Sequence, residues 1–347
     1  MNKTIPWRVA LLALTLTLLA TGGCRSEAAH EEEPEAHGEG EVLSLPALSP
    51  VPLDGAPLRV IATTSIVGDV VAQVGGTAIE LTTLMGPGQD PHSYEPTPQQ
   101  MAAVAQAHVV FVNGWDLEEA LAQDLQEIAE EVPIAAVSAY IEPLAFGEHE
   151  GEHTEAQDGH DEDAHEHTGL DPHVWFDVHN VEQWVENVER TLSALDPDHA
   201  AAYAENAAAY RARLDELHEY AAGQLASLPA DRRYLVTNHD SLGYLAHAYD
   251  LHVLGTVLPA ASTLAEPSAS DLAALIEVME EHGLCTIFAE TTVSAELAQT
   301  VAEELAGCGE VAVLELYTGA LGPEGSGAES YIGMYRYNVD TIVAGLR

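Results

Sequence analysis

From residue 58 onward the chain alternates short apolar runs with segments whose apolar positions recur every three or four residues. "LRVIATT" reads as a buried strand, "IVGDVVAQVGG" as a helix ending on glycines, and "IELTTLM" as a second strand. After a proline-rich loop come a helix to Ala107, the strand "HVVFVNG", an acidic helix and the strand "IAAVS". A second run of the same kind passes through "RYLVTN", "HVLGTVL", "CTIFAE" and "EVAVLEL" and closes with a helix near 328–345. Between the two runs, residues 181–225 have a strongly helical pattern, broken only at Asp196-Pro197. Strands alternating with helices imply parallel sheets covered on both faces. The pattern therefore predicts an α/β protein of two lobes, each a mostly parallel four-stranded sheet flanked by helices, joined by one long helix. The expected boundaries are 57–178 for the N-terminal lobe, 179–227 for the linking helix and 228–347 for the C-terminal lobe.

Composition changes this picture in two ways. With 347 residues, 47% of them hydrophobic, the chain can bury a full core. The net charge of -46, from 57 acids against 11 bases, repels nucleic acid and anionic lipid headgroups and concentrates cations. No nucleic-acid partner is expected. Adaptation to a salty or alkaline habitat explains the charge equally well, so it does not name a ligand.

The N-terminus carries Lys3 and Arg8 before "VALLALTLTLLA", too short for a stable membrane span but suited to a signal peptide. The run ends at "TGGC", where small residues before Cys24 resemble the bacterial lipobox; Thr21 stands where an aliphatic residue is usual. The expectation is a signal peptide over 1–24 and lipidation at Cys24, with an ordinary secretory peptide as the alternative. Export to the outer face of the cytoplasmic membrane, in a periplasm or at a cell surface, follows. Residues 25–56 are acidic and aperiodic, as expected of a disordered tether. Cys285 and Cys308 each precede a predicted strand; a disulfide and a pair of buried thiols both fit.

Ligands of such folds bind beyond the carboxyl ends of parallel strands and between lobes. The loop after "IELTTLM" is "GPGQDPHSYEPTPQQ", stiffened by four prolines, with a capping-box form at Thr97-Pro98-Gln99-Gln100. It contains His92. His173 lies in "GLDPHVWFDVHN" after the last strand of the first lobe, and His239 follows "RYLVTN" in the second. Three imidazoles from one rim form a recognised set for a first-row divalent metal, zinc foremost. Pro172 restricts the backbone before His173, Trp175 and Phe176 should pack into the lobe, and Asp171 or Asp177 is placed to take the other ring N–H. His108, His179, His199, His218, His247, His252 and His282 read as ordinary structural or surface histidines.

"DPHSYEPTP", "DPHVWFDVHN", "VTNHDSLGYLA", "AEPSASDLAALIE", "FAETTVSAELAQTVAEE" and "LGPEGSGAESYIGMYRYN" together resemble the metal-binding substrate-binding proteins of ABC transporters, the ZnuA-like group of solute-binding family 9. The resemblance spans roughly residues 57–347. It implies two α/β lobes joined by one long helix, a non-catalytic monomer, and delivery of zinc or manganese to a permease powered by an ATPase. Its first three ligand positions fall on His92, His173 and His239. Histidine at the third position goes with zinc in this family, and glutamate with manganese. Many relatives carry an aspartate ligand where this chain reads "YTGALG", so Gly319 stands in its place. The fourth position then falls to water, Glu290 or Glu95, which the sequence does not separate.

Beside the second ligand lies an acidic, histidine-rich insertion, 148–167, with His149, His153, His160, His165 and His167. An insertion of this kind is a habit of the zinc members. Few apolar residues predict disorder without metal, and its imidazoles and carboxylates suit weak zinc capture; an inert solvated loop is the alternative. Two other functions stay in view: a manganese or other divalent-metal carrier of the same family, and a hydrolase or hydratase using three histidines and a zinc-bound water. Against the enzyme, the chain has no HExxH helix and no clear Ser/His/Asp arrangement.

Overall fold

The computed structural model describes residues 42–128, 131–146, 169–258, 262–264, 267–305, 308 and 311–347. The lipobox with Cys24, and the insertion with His149, His153, His160, His165 and His167, lie outside the described residues.

Two four-stranded sheets, parallel throughout, form the frame. The first contains β1 (Leu58–Ala62), β2 (Ile79–Thr83), β3 (Val109–Val112) and β4 (Ile134–Ala136), in the order β2-β1-β3-β4. The second contains β5 (Tyr234–His239), β6 (His252–Leu258), β7 (Thr286–Glu290) and β8 (Ala312–Leu316), in the order β6-β5-β7-β8. In each sheet the chain leaves the first strand to one side and returns on the other, which opens a crevice at the carboxyl ends between β1 and β3 and between β5 and β7.

The flanking helices are α1 (Ser65–Gly75), α2 (Pro98–Val104) and α3 (Ala122–Ile128) in the first half, then α4 (Val178–Leu195) and α5 (Ala200–Leu225). The second half holds α6 (Gly243–Tyr249), α7 (Ala269–His282), α8 (Glu296–Glu304) and α9 (Tyr331–Leu346). Local chemistry sets the ends. Thr97 and Gln100 form a reciprocal capping box at α2 with Pro98 in the first turn, and Ser268 and Asp271 do the same at α7. The predicted break at Asp196-Pro197 divides the helical segment into α4 and the 26-residue α5, about 39 Å long at 1.5 Å per residue. On α5, Tyr203, Ala207, Tyr210, Leu214, Leu217, Ala221 and Leu225 form the buried seam against α1, α4 and α9.

One apolar cluster runs through both lobes. It joins Val60, Val67 and Phe111 of the first to Phe288, Leu316 and Tyr335 of the second by way of Trp175, Trp184 and Tyr203. Smaller clusters cover the far faces, around Ile61, Val110 and Leu121 in the first lobe and Val236, Val257 and Ile287 in the second. Because the lobes share a close-packed interior, any relative motion is limited.

One expectation is corrected in part. The tether assigned to 25–56 does not run free to its end: Leu45, Leu48, Val51 and Leu53 pack on the main core, Val51 N–H donates to Leu195 C=O (2.9 Å), and Tyr140 N–H donates to Leu43 C=O (2.8 Å). Leucine and valine every two to three residues supply a half-buried face that the surrounding prolines disguise.

A disulfide joins Cys285 to Cys308, beside the amino ends of β7 and β8. That is the sheet edge opposite the histidines.

Candidate metal centre

His92, His173 and His239 converge. The three residues are 3%, 1% and 2% exposed. The Nε2 atom of His173 lies 3.3 Å from that of His92 and 3.2 Å from that of His239. Two nitrogens bound at about 2.05 Å in a tetrahedron are separated by about 3.3 Å. Among the described residues this is the one group of three or more His, Cys, Asp or Glu whose donor atoms all fall within 4.8 Å of one another.

Each ring is held from behind. His92 sits on the loop after β2, where its N–H donates to Asp90 Oδ1 (3.0 Å) and its C=O accepts from Ala120 N–H (3.4 Å). Tyr94 and Gln100 both donate to Leu84 C=O, drawing the loop together. Behind His92, Glu119 Oε2 lies 3.8 Å from Nδ1, on a side chain that is 44% exposed.

His173 lies just before a single 3-10 turn, Val174–Phe176, whose three side chains are buried. Asp171 Oδ1 receives both its backbone N–H (2.9 Å) and its Nδ1 (2.8 Å). Asp171 is thus the ring's partner, whereas Asp177 caps α4 by accepting from His179 N–H.

His239 is the last residue of β5. Glu290, the last residue of β7, accepts from its N–H and from its Nδ1, while Thr318 donates to the other Glu290 oxygen. With Nδ1 committed to a carboxylate, Nε2 of His173 and of His239 carries the lone pair toward the shared point.

These surroundings set the charge. Burial, and then the facing imidazoles, lower the pKa of His92 to about 3; burial and the charge of His239 lower that of His173 to about 3. For His239 burial acts in the same direction, but the charge and hydrogen bond of Glu290 outweigh it and raise the pKa above the usual value. Burial pushes Glu290 up, yet His239 and the Thr318 hydroxyl hold it below the ordinary carboxylate range. The His92 and His173 rings are therefore neutral acceptors at physiological pH.

Neither carboxylate considered for a fourth position joins the cluster. Glu290 is engaged with His239 and Thr318, and Glu95 is exposed on the loop. A Cβ built on Gly319 would lie 3.0 Å from Pro91 Cδ, so this position faces the residue preceding His92.

Sequence reading missed the grip on the His173 segment. Tyr244 donates to Asp171 C=O (3.1 Å), Tyr331 to Trp175 C=O (2.7 Å), Tyr335 to Phe176 C=O (2.7 Å), and the Trp175 indole N–H to Thr318 C=O (3.1 Å). All four bonds are buried and all lead to the second lobe. From the first lobe, Asn113 donates to Pro172 C=O (2.9 Å). No local pattern announces such contacts, because the partners lie 59 to 159 residues apart.

A pair of parallel α/β lobes meeting at their switch points, with buried imidazoles between them, defines a cleft-type binding protein. The chain belongs to the zinc-uptake complex component A (periplasmic) family, ZnuA, which it matches over residues 60–345. It is similar to the manganese-binding lipoprotein MntA of Halalkalibacterium halodurans, at 35% identity over 84% of this chain and 90% of that protein. It is also similar to the zinc-binding protein TroA of Treponema pallidum, at 32% identity over 84% and 90%. The solved structure of the periplasmic zinc-binding protein TroA superposes with a TM-score of 0.72 at 31% identity, covering 84% of this chain and 99% of that one. The family consists of substrate-binding proteins that act with an ABC permease and ATPase in metal import, and they are not enzymes. The hydrolase reading is thereby set aside.

Proposed function

We propose that this protein captures Zn(II) between its lobes, on His92, His173 and His239, and delivers it to an ABC permease. The observation that carries the reading is the meeting of Nε2 atoms at 3.2 and 3.3 Å with carboxylates behind the rings. Acceptor lone pairs pointed at one another repel unless a cation lies between them. Three imidazoles without an inner carboxylate favour a borderline-soft ion over a hard one, which supports zinc over manganese. Water is the candidate for the remaining position.

Manganese is the second reading, because a relative at 35% identity is named for it. Anomalous diffraction at the zinc edge, with zinc–manganese competition in solution, tests the choice. Zinc should hold the site against excess manganese, and Gly319→Asp should shift the preference toward manganese by about tenfold, or about 1.4 kcal/mol. A parent protein that prefers manganese overturns the zinc reading.

Release follows from how the ligands are anchored. The His173 segment is bound to the second lobe by four buried hydrogen bonds, so it travels with His239. His92 is anchored within the first lobe, by Ala120 N–H and by the Leu84-centred loop. Side-chain bonds at the cleft mouth, Thr263 to Asp90 and Ser262 to Glu119 (both 2.6 Å), would have to part for it to move away from the second. Lobe motion then parts His92 from the other two.

The insertion 148–167 would gather zinc weakly near the cleft, and Cys24 would tether the exported protein by lipid, as the relatives named lipoproteins suggest. Deleting 148–167 should remove only weak zinc equivalents in a calorimetric titration; loss of the tight one would overturn this division.

A further inference from the structure

Outside the cleft, the paired helices α4 and α5 bring together a second set of metal-binding side chains. α4 carries His179 and Glu182 three residues apart, and α5, folded back through the turn Pro197–His199, carries Asp215 and His218 with the same spacing. Residues three apart share a helix face. The two faces meet: the His179 and His218 ring centroids are 4.4 Å apart, and the pKa of Glu182 is raised first by burial and then by the negative charge of Asp215 close by. His179 Nδ1 lies 3.5 Å from Glu182 Oε2, while Glu182 Oε1 is buried without a partner. Tyr249 of α6 meets His218 Nδ1 at 3.2 Å, which leaves His218 Nε2 for another partner. Paired i, i+3 ligands on facing helices are how helical bundles hold metal ions.

We propose that His179, Glu182, Asp215 and His218 form a second, shallow site for a borderline divalent transition cation such as zinc. Two imidazoles and two carboxylates make a four-coordinate nitrogen–oxygen set. The side chains close on the ion by rotation of His179, 58% exposed, and of the exposed Asp215. The ion supplies the partner that Glu182 Oε1 lacks and offsets the repulsion between the two neighbouring carboxylates. It would cross-link the first turn of α4 to α5, directly after the segment that carries His173.

Crystals of the full chain grown in excess Zn(II) should show an anomalous peak between α4 and α5, bonded to His179 and His218, besides the peak in the cleft. In solution, the double variant His179→Ala/His218→Ala should bind one zinc fewer in the weaker class and keep the cleft equivalent. Asp215→Asn, at an exposed position that leaves the helix intact, should leave that equivalent unfilled at zinc concentrations that half-saturate the parent. No peak at saturating zinc, a peak on one side chain alone, or an unchanged count in the double variant would overturn the proposal. The cleft equivalent is counted separately in each arm, so its loss would bear on the proposed transport function instead.

Discussion

His92 and His239 reach one point from sheets of the same topology, but they are held unequally. His239 ends a central strand, and its ring rests on a carboxylate that is itself buried and bonded to Thr318. His92 rides a loop after an edge strand, and Glu119, the carboxylate behind its ring, is 3.8 Å from Nδ1 and half-exposed. His173 sides with His239, since its segment hangs from tyrosines of the second lobe. A protein that must take up an ion and also surrender it gains from this inequality: a stiff pair sets affinity and selectivity, and the third ligand can be withdrawn.

The widest test of the contrast removes ligands one at a time. His239→Ala or His173→Ala should weaken zinc more than about 100-fold, beyond what loss of an outer partner costs, in chelator competition. His92→Ala should cost less, because the preformed pair survives; equal losses would mean that the site has no stiff side. Next come the partners behind the rings. Glu290→Gln should weaken zinc by about 10–100-fold and Glu119→Gln by less than about tenfold, since exposed groups contribute little.

Acid should separate the two sides as well. Zinc affinity should fall as pH drops through the raised pKa of His239, with one proton released per ion bound, while His92 and His173 compete with protons only near pH 3. For the metal-free fold, His92 and His173 contribute stability that is present above the unfolded value of 6.5 and lost as pH falls toward about 3. His239 has the opposite sign: its contribution is present below 6.5 and lost as pH rises through its raised pKa. The windows do not overlap: below pH 6.5 only His92 and His173 act, so they predict loss of stability between pH 6.5 and 3, measurable by urea unfolding with zinc chelated. The smallest effect on zinc should come from Cys285→Ser/Cys308→Ser: stability should fall by about 3 kcal/mol while affinity stays unchanged, because the bridge lies at the far edge of the sheet.

Much of this was legible in the chain. Apolar runs bounded by glycine and proline located the strands, and strand-end loops pointed to His92, His173 and His239 before any geometry was known. The capping chemistry of Thr97 and Gln100 was readable for the same reason: it is local. What stayed hidden depends on distant partners. Tyr331 and Tyr335 resemble any helix-core tyrosines until Trp175 and Phe176 are seen to receive their hydroxyls. Glu290 stayed open with Glu95 and water as the fourth ligand because a carboxylate at a strand end fits either role, and only the neighbouring strand brings it to His239 Nδ1. Leu45 and Val51 vanished among acids and prolines although they pack on the core.

Ala145 and Leu170 pair in an antiparallel bridge, and Asp171 N–H bonds to Leu144 C=O at 2.9 Å. The stem on which the 148–167 stretch is mounted is thereby fastened just ahead of His173. Whatever is spliced between those two residues transmits little to the imidazole beyond them. A reporter peptide or a different chelating sequence grafted at that position should therefore leave zinc affinity in the cleft unchanged.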